Sequence, residues 1–144
     1  MKIFLDTADV DLISKYYGTG LIDGVTTNPT LIKKSGKDPE DVYRELALMG
    51  VDDISMEIVT DDANEFLTEG RRLKEKFGEI TTIKVPCTPE GLKGCKLLSK
   101  EDIRVNVTLI FSAAQAVLAS KAGAAYVSPF VGRVDDNSFD GLGL

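Results

Sequence analysis

The sequence predicts an α/β fold of successive βα units with a parallel sheet, of the TIM (β/α)8-barrel type, with about six units present. Three observations carry this expectation. Short apolar runs alternate with longer helical patterns along all 144 residues. The runs begin roughly every twenty to thirty residues, the repeat of a strand with its crossover helix. Nearly every run is polar in one of its two phases: Asp6, Thr26 and Asn28, Glu57, Lys84, Asn106 and Thr108, Ser128. The other phase is apolar: Ile3, Leu5, Val25, Met56, Ile58, Ile83, Val85, Val105, Val107, Leu109 and Val127. An open parallel sheet covered by helices on both faces asks for strands apolar on both sides. A barrel turns the apolar face to its helices and the polar face to its mouth. The G-x-G-x-x-G fingerprint of dinucleotide-binding sheets does not follow the first strand.

In chain order the predicted strands are 3–7, 24–28, 54–59, 82–86, Arg104–Ile110 and 125–130. Between them the pattern predicts helices at Val10–Tyr17 and 39–49. Residues 61–77 space Ala63, Phe66, Leu67, Leu73 and Phe77 as one helical face. Thr88 before Pro89 reads as an N-cap and N1 pair that opens a helix to Leu98. Ser112 and Gln115 form a capping box ahead of Ala113–Ala122, and Gly123 closes that helix. The run 139–144 reads as the opening of a sixth helix. Barrels of this type run from about 200 residues upward. The expectation is therefore a single barrel domain over 1–144, incomplete at its C-terminal side.

Composition narrows the function classes. Hydrophobic residues make up 43% and charged residues 28%, the balance of a soluble globular domain. A net charge of −6 argues against nucleic acid and acidic membrane surfaces as partners. A local arginine can still hold a phosphate. No run reaches transmembrane length and the N-terminus lacks a signal-peptide pattern, so a cytoplasmic protein is expected. Cys87 and Cys95 lack metal-site spacing, no histidine exists to complete a zinc site, and the two read as free thiols. The chain has no histidine, so acid–base work falls to Asp, Glu, Lys, Tyr or water.

Lys84 stands alone in the apolar run Thr82-Ile83-Lys84-Val85-Pro86. A lysine on a buried strand is costly to keep charged and usually serves chemistry. Together with Asp6, Glu57 and the amides and hydroxyls of the same phase, it suits Schiff-base carbonyl chemistry. A structural lysine paired with Asp6 or Glu57 is the competing reading.

Five ordered segments extend the argument: Phe4-Leu5-Asp6-Thr7-Ala8, Gly24-Val25-Thr26-Thr27-Asn28-Pro29-Thr30, Ile83-Lys84-Val85-Pro86, Asn106-Val107-Thr108-Leu109-Ile110-Phe111-Ser112-Ala113-Ala114-Gln115, and Tyr126-Val127-Ser128-Pro129-Phe130-Val131-Gly132-Arg133. They resemble the small single-domain transaldolases and fructose-6-phosphate aldolases over essentially the whole chain. The resemblance implies that Lys84 is the Schiff-base lysine and that Asp6 moves the proton whose loss drives carbon–carbon cleavage. It implies that Glu57 and Thr108 hold a water for proton transfers. Thr26, Asn28, Asn106 and Ser128 resemble groups that bind substrate hydroxyls, and Arg133 resembles the arginine that grips the sugar phosphate. Plainer readings stand beside these: Asp6 as a helix cap, Glu57 as a salt-bridge partner, Thr26 as a strand residue, Ser128 as a filler, Arg133 as a solvated loop residue.

Phe130 with Glu57 resembles the transaldolases, whereas tyrosine with glutamine resembles the aldolases. The implied activity is transfer of a dihydroxyacetone unit between sugar phosphates, and the resemblance implies no metal or organic cofactor. An aldolase releasing free dihydroxyacetone and an inactive fragment are the alternatives. The small family members imply a homo-oligomer once the barrel is complete.

Overall fold

The structure is a computed structural model that describes residues Met1–Leu144. Six parallel strands follow one another in sheet order β1-β2-β3-β4-β5-β6, with helices in the connections, as in the first six units of a (β/α)8 barrel. The strands are β1 (Phe4–Asp6), β2 (Gly24–Thr26), β3 (Ile54–Glu57), β4 (Thr81–Pro86), β5 (Arg104–Ile110) and β6 (Tyr126–Pro129). The helices are α1 (Val10–Tyr17), α2 (Pro29–Ser35), α3 (Pro39–Leu48), α4 (Ala63–Phe77), α5 (Pro89–Ser99), α6 (Ala113–Ala122) and α7 (Val131–Asp136). The residues group into two compact units: Met1–Glu57 with Arg72–Thr82, and Ile58–Arg71 with Ile83–Leu144.

In the first unit β1 pairs with β2 through Phe4↔Gly24, Leu5↔Val25 and Asp6↔Thr26, and β2 with β3 through Val25↔Ile54. Its core is Ile13 of α1, Val42, Tyr43 and Leu46 of α3, and Val25, Ile54 and Met56 of the strands. The Phe77 ring meets Tyr43 edge to face, 5.9 Å between centroids at 90°. Helix α2 was not expected from the periodicity. Its signals are nevertheless present: Asn28 accepts from the Leu31 N–H as N-cap, and Pro29 occupies the first turn. The second strand therefore stops at Thr26 instead of running to 28.

In the second unit Phe66, Ile83, Val85, Leu98, Val105, Val107 and Ile110 are the buried apolar side chains. Ser112 caps α6 by accepting from the Gln115 N–H at 3.3 Å. The Gln115 side chain reaches one residue further back than a capping box requires and accepts from the Phe111 N–H at 2.7 Å. Gly123 ends α6 at φ 98°, a left-handed position that glycine takes without a Cβ clash. The C-terminal stretch forms α7 and a single 3-10 turn at Gly141–Gly143, not a helix opening at 139.

The predicted apolar phase is buried through the middle of the sheet, at Val25, Met56, Ile83, Val85, Val105 and Val107. It fails at three places. Ile3 lies outside β1 and is 42% exposed, and Val127 on the terminal strand β6 is 37% exposed. Leu109 is 38% exposed because β5 carries an irregularity there. Between Val107↔Val127 and Ile110↔Pro129 the chain takes three steps on β5 against two on β6, and Leu109 adopts φ 59°. One extra residue in a strand breaks the two-residue alternation locally.

Candidate active site

In the first unit, parallel pairing sets Asp6 at the end of β1 directly beside Thr26 at the end of β2. The Thr26 hydroxyl donates to Asp6 Oδ1 at 2.8 Å, so the two side chains share a face. Asp6 is exposed and does not cap α1; Asp9 does that, accepting from the Leu12 N–H at 3.1 Å. Asn28 divides its carboxamide: the oxygen caps α2 at 2.9 Å, and the NH2 group is its donor end. Glu57 ends β3 half-buried.

In the second unit, Lys84 is 5% exposed in the middle of β4, where Thr81–Val85 are all buried. The Ile58 N–H donates to the Lys84 carbonyl at 3.3 Å, and the Cys87 N–H to the Thr108 carbonyl at 2.9 Å, which ties β4 to β5. On β5, Asn106 and Thr108 are 2% and 3% exposed. The Ser128 hydroxyl of β6 donates to Asn106 Oδ1 at 2.8 Å. Thr108 Oγ1 is buried without a hydrogen-bond partner. Leaving a buried hydroxyl unpaired costs on the order of 1–3 kcal/mol, so such a group invites a functional explanation.

Phe130 follows β6, its N–H donating to the Ile110 carbonyl at 3.0 Å. The Phe111 ring packs on it, 5.8 Å between centroids. The exposed Arg133 guanidinium lies 5.9 Å from the Phe130 ring centroid, a cation–π arrangement that leaves its N–H groups to solvent-side ligands. Arg133 sits in the short helix α7 instead of a loop.

The structure thus brings together Asp6 with Thr26, and Asn106 with Ser128, and places Lys84 and Thr108 on neighbouring strands. Sequence reasoning passed over Phe111, which joins the Phe130–Arg133 cluster.

The thiols stand apart from this chemistry. Burial pushes Cys95 up to about 11 and also raises Cys87. Only the thiolate is nucleophilic, so at pH 8 roughly one Cys95 in a thousand is reactive. Iodoacetamide at pH 8 is expected to leave Cys95 unlabelled in the folded chain and to label it in denaturant, as read by mass spectrometry. Rapid native labelling of Cys95 contradicts the burial. No cluster of three or more acidic or thiol side chains is arranged to hold a metal ion, and no helix is long and apolar enough to cross a membrane.

Six βα units with a buried lysine on the fourth strand define a lysine-bearing chain of the βα-barrel class. The Transaldolase/Fructose-6-phosphate aldolase family matches residues 3–142, and the chain belongs to that family. A probable transaldolase of Nitrosopumilus maritimus (strain SCM1) is 51% identical over 144 residues, all of this chain and 64% of the relative. One from Ruegeria pomeroyi (strain ATCC 700808 / DSM 15171 / DSS-3) is 52% identical over the same length, covering 66% of the relative. One from Methanococcus vannielii (strain ATCC 35089 / DSM 1224 / JCM 13029 / OCM 148 / SB) is 53% identical over 142 residues, again 66% of its length. The chain spans just under two thirds of the length of these relatives.

Proposed function

We propose that the chain carries transaldolase chemistry, moving a dihydroxyacetone unit from fructose 6-phosphate to erythrose 4-phosphate. The products are glyceraldehyde 3-phosphate and sedoheptulose 7-phosphate. The observation that carries this reading is Lys84, buried on β4 beside a strand whose Thr108 hydroxyl has no protein partner. Family membership and the names of the relatives support it.

In this reading the Lys84 amine attacks the ketose carbonyl carbon, and the carbonyl oxygen leaves as water. The resulting iminium is the electron sink. Asp6 takes the proton of the C4 hydroxyl, the C3–C4 bond breaks, and its electron pair moves into the iminium to give an enamine. Glyceraldehyde 3-phosphate departs. The enamine carbon then attacks the aldehyde of erythrose 4-phosphate, and the new alkoxide regains a proton from Asp6. Water hydrolyses the iminium and frees Lys84. A water held by Glu57 and Thr108 relays protons during formation and hydrolysis of the Schiff base. Arg133 pairs with the substrate phosphate, since a guanidinium binds it bidentately and stays charged. Thr26, Asn28, Asn106 and Ser128 hydrogen-bond the polyol. Phe130 offers no phenol to help water release the three-carbon unit, which favours transfer over free dihydroxyacetone.

Incubation with fructose 6-phosphate and borohydride is the test, with the adduct mapped by mass spectrometry. A reduced three-carbon adduct on Lys84 is expected. An adduct on another lysine, or none where a full-length relative gives one, overturns the reading for this chain. A coupled assay separates the two activities: turnover without an aldose acceptor means aldolase.

A further inference from the structure

Leu109, next to last in β5, lies in the left-handed region at φ 59°. There a Cβ crowds the following carbonyl oxygen, and glycine is the usual occupant of a bulge with this backbone. Strained residues of this kind persist where the surrounding structure fixes them, and they cluster at functional sites. On one side of Leu109 is Thr108, whose buried Oγ1 has no hydrogen-bond partner. On the other is Ile110, 1% exposed.

The register with β6 tells what the bulge does. Val107 pairs with Val127 and Ile110 with Pro129, so β5 fits one extra residue between the two pairs. Side chains alternate faces along a strand. In an unbroken β5, Ile110 would follow Asn106 and Thr108 on the polar face. On β6, Pro129 follows Val127 on the apolar face. Residues paired across neighbouring strands share a face, so Ile110 joins the apolar side, where it is buried. The backbone stays bonded on both sides of the turn: the Cys87 N–H donates to the Thr108 carbonyl at 2.9 Å, and the Phe130 N–H to the Ile110 carbonyl at 3.0 Å. We propose that Leu109 is a positioning residue for Thr108. Its left-handed turn sends Ile110 to the helix side, so no β5 side chain follows Thr108 on the polar face. The Thr108 hydroxyl is thereby left for a bond to substrate or to the water that relays protons. That use of Thr108 rests on the transaldolase reading; the change of face at Leu109 does not.

Two variants separate the backbone turn from the side chain. Leu109→Ile conserves the atoms but adds a branch at Cβ, which makes a left-handed conformation a severe outlier. Leu109→Gly removes the side chain and takes φ 59° without strain. In Leu109→Ile the bulge should slip and free the Phe130 N–H from the Ile110 carbonyl. Amide hydrogen exchange at Phe130 should then speed up about tenfold or more, while in Leu109→Gly it should stay within about threefold of the parent chain. Borohydride trapping on Lys84 at saturating fructose 6-phosphate should slow about tenfold or more in Leu109→Ile and stay within about threefold in Leu109→Gly. A role in packing alone gives the reverse order, because isoleucine conserves the volume that glycine deletes. The reverse order in either measurement overturns the proposal, as does parent-like behaviour of Leu109→Ile. Should Leu109→Ile not fold, Leu109→Gly decides: trapping near the parent rate supports the backbone turn, and a loss of about tenfold or more overturns it. If the parent chain traps nothing at Lys84, the transaldolase reading falls, and exchange at Phe130 alone decides whether the left-handed turn holds this register.

Discussion

Replacing Lys84 by methionine is expected to abolish the borohydride-trapped adduct and to reduce sugar-phosphate turnover at least about a thousandfold, while the chain stays folded. The expectation follows from what each group can do. A thioether has no nitrogen with which to form an iminium, so the electron sink for carbon–carbon cleavage is lost outright. The fold tolerates the change because methionine has nearly the length of lysine and adapts to its surroundings. At 5% exposure the site also favours an apolar side chain over a polar one. The thermal midpoint should therefore be unchanged or slightly raised. Lys84→Arg is the complementary variant: it keeps a cation, but a guanidinium does not act as an amine nucleophile at neutral pH. Both variants should be inactive. Activity in Lys84→Arg would assign the residue an electrostatic role, and an adduct surviving in Lys84→Met would place the chemistry on another lysine.

The second large effect is on stability and comes from Gly91. This residue lies in the first turn of α5, where its N–H donates to the N-cap hydroxyl of Thr88 at 3.1 Å. A Cβ added at Gly91 would run into the carbonyl oxygen of Pro86, the last residue of β4. The obstacle is backbone, so no rotamer change relieves it. Gly91→Ala must push α5 away from the end of β4 or shift the strand itself. We expect a loss of about 3 kcal/mol or more, the upper range for overpacking, measured by urea denaturation. Because β4 also carries Lys84, residual folded protein should trap substrate more slowly than the parent chain. Gly132→Ala serves as the control, since nothing lies within 4 Å of its added Cβ. A Gly91→Ala midpoint equal to that of the control would contradict the close approach of α5 to Pro86.

Much of the architecture was legible along the chain because local chemistry and tertiary use agree. Helices α1 and α6 have the boundaries that their periodicity and caps predict, and β5 likewise. The N-cap Thr88 before Pro89 opens α5 as read. Helix α2 was overlooked although Asn28 and Pro29 announce it, because seven residues are too few to show helical period clearly. At this point a strand pattern and a helix cap share one residue.

The candidate site was legible as a set of residues but not as an arrangement. Lys84 is conspicuous because an amine in an apolar run is costly to keep charged. Nothing in the order of residues says that Thr26 donates to Asp6, or that Ser128 donates to Asn106 across strands 22 residues apart. Those bonds depend on register, and a one-residue slip would send each side chain to the other face.

What the sequence alone determined is the βα repeat, the alternating phases of the strands, the helix caps and the identity of the polar groups. All of these are properties of residues and their near neighbours. Only the tertiary structure decided which polar groups are partnered. It buried Thr108 Oγ1 without a partner and turned Leu109 to φ 59° at the irregularity in β5. Each depends on how strands from distant parts of the chain are paired and packed. Register and helix packing set those surroundings, and no local pattern encodes them.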